Sequence, residues 1–239
     1  METPPDDILA ACLGSRVILW EPSSNRQLKE FFRLGCWPRV RLNDGRADPC
    51  GSLWVGSMRN NVGPDGSSTE AGGKDGVLYR LDPDGAVTEH RTGIGISNTL
   101  AWSPDRRHFY FGDSLANTVW KYDYHPDTGS ISDGKPFLEN FPRGSPDGSA
   151  VDAEGYLWNC RFYGSCIVRV APDGTIDRVV EMPVQNITTC TFGGSDLRTL
   201  YVTTAAAQAS PSERLAGGLF TVECEVRGQP ENRFRRFGR

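Results

Sequence analysis

The sequence predicts an all-β fold, a β-propeller with about five blades visible, on three observations. A polar turn followed by an apolar-aromatic strand recurs, with copies starting at residues 48, 103, 152 and 194. A second strand type, alternating apolar and polar and ending in a Pro/Asp/Gly turn, interleaves with the first. The 27 Gly and 16 Pro punctuate the chain, and no segment keeps a 3.6-residue apolar period for three turns, which removes the helical alternatives. A repeat of roughly 40–50 residues holding about four short strands marks a propeller blade, a small sheet that buries both faces only by stacking on its neighbours.

The chain of 239 residues suits one large all-β domain. A single domain over residues 1–239 is expected, with 1–7 and 228–239 as peripheral tails. Residues 1–7 are acidic and Pro-rich, unlike a signal or transit peptide. The first strand pair is read at residues 8–12 and 16–20. Segment 41–49 follows, with Arg41, Asn43, Asp44, Arg46 and Asp48 in nine residues. Such a run cannot enter an apolar core without partners, so it reads as a polar turn feeding the strand 52–56. Residues 60–76 form a long Gly/Ser-rich loop, a candidate lid or rim. The interleaved strands fall at 77–81, 119–124, 167–170 and 218–222. After their turns, short strands begin, as at 86–90 and 175–180.

Composition narrows the class. With 38% hydrophobic and 23% charged residues and a net charge of -4, the chain is an ordinary globular one. No apolar run is long enough to cross a membrane. The short basic stretch 233–236 is not the basic stripe that nucleic acid requires, so neither partner is expected. Seven cysteines without a Cys-x-x-Cys pair read as free thiols in a reducing cytoplasm. His90, His108 and His125 are scattered, with no Cys-His zinc spacing. No Gly-x-Ser-x-Gly elbow and no complete Gly-x-Gly-x-x-Gly occurs.

In a propeller the innermost strands line a central channel, and the turns entering them form one face. Just before successive repeats stand Arg41, Asn43 and Asp44, then Asn98, then Asp147, then Asn186 with Thr188 and Thr189. All but Arg41 are oxygen donors, and carboxylate plus amide oxygens on one axis suit a hard divalent cation. Each is also a turn former: Asn98 closes an Asx-turn, and Pro146, Asp147 and Gly148 make a β-turn sequence. Their recurrence at one offset favours a shared site over separate turns.

These segments resemble the senescence-marker-protein/gluconolactonase family, which includes regucalcin. The resemblance is carried by residues 41–45 with Asp48 and Pro49, by 53–58, by 96–105 with 109–114, by 146–148 with 152–158, and by 191–194 with 217–220. It spans about residues 8–227. It implies a six-bladed propeller with one divalent cation in the channel (Ca, Zn, Mn, Mg or Fe undistinguished) that hydrolyses a sugar lactone to the aldonic acid. It places Asn98 and Asp147 on metal-ligand positions. Arg41 and Asn43 fall on substrate-binding positions, with Asp44 in the same motif. Asn61 lies in the stretch after Met58 where some members carry a carboxylate. Asp147 is also the candidate to take a proton from the attacking water.

One family feature has no counterpart here. The first blade normally opens with a Gly-Glu-x-Pro-x-Trp type segment whose Glu is a metal ligand. Glu2 lies in the acidic terminus and Glu21 follows a strand on the wrong side of a hairpin. The chain therefore resembles a member lacking its first blade. A five-bladed ring, an open gap with self-association or a partner at the blade edges, and a start later than that of the functional protein all stay open. The competing reading is a non-catalytic propeller that binds a small ligand or a partner. A calcium buffer has no carboxylate cluster behind it.

Overall fold

The computed structural model describes residues 8–235. Within them the chain forms eighteen strands in five antiparallel sheets. The first sheet holds β1 (Leu9–Leu13), β2 (Arg16–Glu21) and β3 (Arg26–Arg33). The second holds β4 (Val40–Ala47), β5 (Leu53–Arg59), β6 (Gly76–Leu81) and β7 (Val87–Ile94). The third runs β8 (Ser97–Trp102), β9 (His108–Asp113), β10 (Thr118–His125) and β11 (Ser130–Glu139). The fourth runs β12 (Ser145–Val151), β13 (Leu157–Phe162), β14 (Cys166–Val170) and β15 (Ile176–Glu181). The last holds β16 (Ile187–Gly193), β17 (Thr199–Thr204) and β18 (Leu219–Glu223). Strands pair in sequence order within each sheet, and the inner strands β4, β8, β12 and β16 pack on one another in turn. This is a five-bladed β-propeller arrangement.

The recurring turn has a physical basis. Asp48 and Asp152 are both buried. The Asp48 carboxylate accepts the backbone N–H of Cys50 and of Ser52, and then Trp54 Nε1 at 2.9 Å. Asp152 does the same with Glu154, Tyr156 and Trp158, again at 2.9 Å for the indole. One carboxylate thus closes the turn and fixes the aromatic residue that begins the next strand. That ring then packs between sheets. Four apolar clusters lie between successive sheets, built around Val17 and Val55, Trp54 and Phe109, Tyr110 and Val168, and Trp158 and Phe192. Each fully buried Leu, Val or Phe there contributes about 1.5–3 kcal/mol.

Two expectations differ from the structure. Residues 41–47 and 145–151 are not turns but strands β4 and β12. Their polar residues are tolerated inside strands because those strands line the channel. Residues 228–235, expected as a peripheral tail, run across the end of the channel opposite the inner-strand N-termini. Gly228 N donates to Leu197 O, Gln229 Nε2 to Trp102 O at 2.8 Å, and Arg235 N to Gly51 O. Glu231 pairs with Arg46 and accepts from Thr191, while Phe234 stacks on Phe31 at 5.2 Å. The segment therefore touches the first, second, third and fifth sheets, and Gly228 bridges to Asp152 just past the end of β12 in the fourth. Residues 1–7 and 236–239 lie outside the described residues. All seven cysteines are free, as expected, and no helix among the described residues is long and apolar enough to cross a membrane.

Candidate functional site

Each inner strand is bulged at the same height. The register of β4 against β5 slips between Leu42 and Gly45, at Asn43 and Asp44. That of β8 slips between Asn98 and Leu100, at Thr99. That of β12 slips between Pro146 and Ser149, at Asp147 and Gly148. That of β16 slips between Ile187 and Thr189. A bulge leaves residues unpaired in the ladder and re-aims their side chains. Here it turns a ring of polar residues toward the channel near the N-terminal ends of the inner strands. Gly148 permits the fourth approach: a Cβ there would meet Thr189 Oγ1 at 2.1 Å.

The side chains form one connected set. Arg41 on β4 donates to Asn43 Oδ1 at 2.7 Å and, through two nitrogens, to Asn61 Oδ1 at 3.2 and 3.0 Å. No carboxylate pairs with it among the described residues. Asn43 Nδ2 donates across to Ser97 O and to Asn98 Oδ1 at 3.1 Å. Asn98 Nδ2 donates to Ser114 Oγ at 2.8 Å, and that hydroxyl donates to Pro146 O at 2.6 Å. The chain of bonds thus runs from the second blade through the third to the residue before Asp147.

Electrostatics sharpen the picture. Asp44 and Asp147 are each partly reached by solvent yet lie deep among protein atoms, the situation of side chains lining a narrow channel. Burial first, and the charge of Asp44 second, push the Asp147 carboxyl up to about 8. Burial likewise raises Asp44, and Arg46 opposes the rise. Arg46 reaches across to Leu100 O and Ser149 O. Two carboxyl groups that act on each other, on inner strands flanking the one that carries the Asn98 amide, are oxygen donors of the kind a hard cation takes. Asn98 and Asp147 would hold it. No group of three His, Cys, Asp or Glu converges among the described residues.

The structure brings Arg41, Asn43, Asp44, Asn61, Asn98 and Asp147 to one end of the channel. Asn186 precedes β16; its amide donates to Ala207 O, and its Oδ1 is buried without a partner. Thr188 turns away to Thr203 Oγ1 at 2.7 Å. Glu21 sits at the far end of β2, bonded to Ser24 and Arg26. Sequence reasoning missed Thr99, Arg46, Asn159 and Arg161, which support these groups from behind. The buried positions of Asn159 and Arg161 on β13 were legible only as polar breaks in an apolar strand.

The sequence model described as SMP-30/Gluconolactonase/LRE-like region matches residues 2–206. A pentonolactonase, XacC, of Haloferax volcanii is 39% identical over 203 residues, covering 81% of this chain and 66% of that protein. Regucalcin of Danio rerio is 38% identical over 191 residues, covering 77% of this chain and 62% of that protein. The chain thus spans somewhat less than two thirds of the length of these curated relatives. Among solved structures, a luciferin-regenerating enzyme superposes with a TM-score of 0.83 at 30% identity, covering 98% of this chain and 79% of that one. A calcium-binding regucalcin from Agrobacterium tumefaciens also gives 0.83, at 28% identity, over 95% of this chain and 78% of that one. The matched region and the shared propeller, with motifs falling on successive inner strands, establish that this chain belongs to the SMP-30/gluconolactonase/LRE-like family.

Proposed function

We propose that the chain carries the site of a sugar-lactone hydrolase that works with one divalent cation. The observation that supports this most is the convergence of Arg41, Asn43, Asn98 and Asp147 at or beside the inner-strand bulges of one channel mouth. The relative named a pentonolactonase supports the reaction class. Arg41 would present a forked, always-charged donor to the lactone carbonyl and sugar hydroxyls. Asn43 and Asn61 hold that fork in place, and Asp44 adds an acceptor for a hydroxyl. Asp147 would take a proton from water as the water oxygen bonds to the carbonyl carbon. The carbonyl-carbon to ring-oxygen bond then breaks, and the proton passes to the released ring oxygen, giving the aldonic acid. A cation held by Asn98 and Asp147 would polarise the carbonyl and stabilise the oxyanion. Free thiols suit a reducing cytoplasm. Self-association is proposed at open blade edges, where β1 exposes Leu9 and Leu13 and β18 exposes Leu219.

A pH-stat assay with a panel of aldonolactones, run with Ca²⁺, Mn²⁺, Zn²⁺, Mg²⁺ or Fe²⁺ and after chelation, tests the reading. Cation-dependent acid release above background is expected for at least one lactone. Background rates throughout would leave the second reading, non-catalytic ligand binding, which the two-residue ligand set favours.

A further inference from the structure

Thr99 is the extra residue of the β8 bulge and is fully buried, 0% exposed. Its backbone φ is +51°, and it is the one β-branched residue with positive φ among the described residues. For a β-branched side chain this conformation is an outlier that persists only when the surroundings enforce it. The surroundings do so through the hydroxyl. Thr99 Oγ1 donates to Asp147 O at 2.5 Å and lies 2.9 Å from Ser149 Oγ. It accepts from Asn159 Nδ2 at 3.2 Å, and Asn159 also donates to Ser149 Oγ at 2.9 Å. The Thr99 backbone N–H faces the Asp44 carboxylate.

Behind Asn159 stands Arg161, 1% exposed and without a carboxylate partner among the described residues. It donates to Asn159 Oδ1, Asn117 Oδ1, Arg143 O and Gly144 O. A buried guanidinium bound only to neutral oxygens is a costly arrangement. It pins the amide of Asn159 with its donors turned toward Thr99 and Ser149. The whole chain, from Arg161 through Asn159 to Thr99, therefore ends on the backbone of the bulge that carries Asp147.

We propose that Thr99 is a positioning residue: its hydroxyl locks the Asp147 bulge to the Asn98 bulge, and the strained backbone places that hydroxyl between them. The role rests on the lactonase reading for its catalytic consequence. Two substitutions test the hydroxyl. Thr99→Gly relieves the strain and removes the hydroxyl, whereas Thr99→Ser keeps the hydroxyl on an unbranched side chain.

The test measures Tm, kcat, KM and amide hydrogen exchange of residues 145–151 for both variants. Thr99→Gly is expected to stay within about 4 °C of the wild-type Tm. Its kcat should fall about 10- to 100-fold, with KM changed less than twofold and faster exchange confined to 145–151. Thr99→Ser should restore kcat to within twofold of wild type, with wild-type exchange in that segment. A Thr99→Gly variant with kcat within twofold of wild type, or a Thr99→Ser variant as poor as Thr99→Gly, overturns the assignment. If the wild type hydrolyses no lactone, the functional reading fails, and the exchange data alone decide whether Thr99 orders the Asp147 bulge.

Discussion

Asn43 Nδ2 donates to Asn98 Oδ1 at 3.1 Å, joining the bulge of one inner strand to the bulge of the next. Asn98 is held at its other end by Ser114. The candidate metal oxygen is therefore oriented by a residue of the candidate substrate wall. The two halves of the site are built as one unit.

That bond predicts coupling. Asn43→Ala and Asn98→Ala should each lower kcat/KM, and the double variant should lose less than the product of the two losses. Neighbours in one hydrogen-bond network show interaction energies of about 0.5–3 kcal/mol. A double-mutant cycle on lactone hydrolysis measures it; strictly multiplicative losses would show that the two amides act independently.

Arg41 contributes through its fork. Arg41→Lys keeps the charge but cannot hold Asn43 and Asn61 together, so KM for the lactone should rise by about tenfold or more. The Tm should stay near wild type, because the side chain pairs with no carboxylate among the described residues. Steady-state kinetics and calorimetry check the pair of expectations, and an unchanged KM would remove Arg41 from the substrate wall.

The Asp147 carboxyl gives a pH signature in metal-free protein. Its ordinary value is 3.8, and burial with the Asp44 charge raises it to about 8 in the folded chain. Between these values the folded chain holds a proton that the unfolded chain has released. Stability is therefore present below about pH 4 and is lost as pH rises through about 8. Asp147→Asn removes that loss. Its Tm should match wild type near pH 4 and exceed it increasingly up to about pH 8 in chelator. Scanning calorimetry across this window reads the difference, and one that does not grow with pH would contradict the assigned environment.

Asp152 should matter to the fold and not to the chemistry. It binds Arg169, which is 4% exposed, at 2.7 Å, and it also closes the turn to Trp158. Arg169 keeps Glu154 and Asp177 as partners, but Asp152→Ala also leaves two turn N–H groups and the Trp158 indole unpaired at about 1–3 kcal/mol each, so it should lower Tm by roughly 10 °C. The kcat of the folded fraction should be unchanged. A kcat loss at temperatures well below Tm would place Asp152 closer to the site than its geometry does.

The architecture was legible because turn and strand recur with their aromatic residues. Asp48 and Trp54, and Asp152 and Trp158, stand at the same spacing and make the same bonds. The candidate site residues stand out in the sequence as recurring polar positions, but their local structure was not legible. Asp44 and Asp147 carry turn-forming sequences, and turn chemistry and a channel-lining bulge use the same residue types. Thr99 was invisible because nothing in a Ser-Asn-Thr-Leu run betrays a positive φ. The segment 228–235 was read as a tail because its contacts reach Trp102, Arg46 and Phe31, far away in sequence. Its anchoring role is testable: ending the chain after Arg227 should lower Tm clearly, whereas Glu231→Gln, at an exposed ion pair, should cost about 1 kcal/mol or less.

The most direct measurement is the initial rate of Asp147→Asn beside wild type on the best lactone, at saturating cation and matched folded concentration. A hydrolase whose base is Asp147 should lose at least about 100-fold in kcat on this exchange. A variant within twofold of wild type would contradict the placement of the chemistry at this carboxylate.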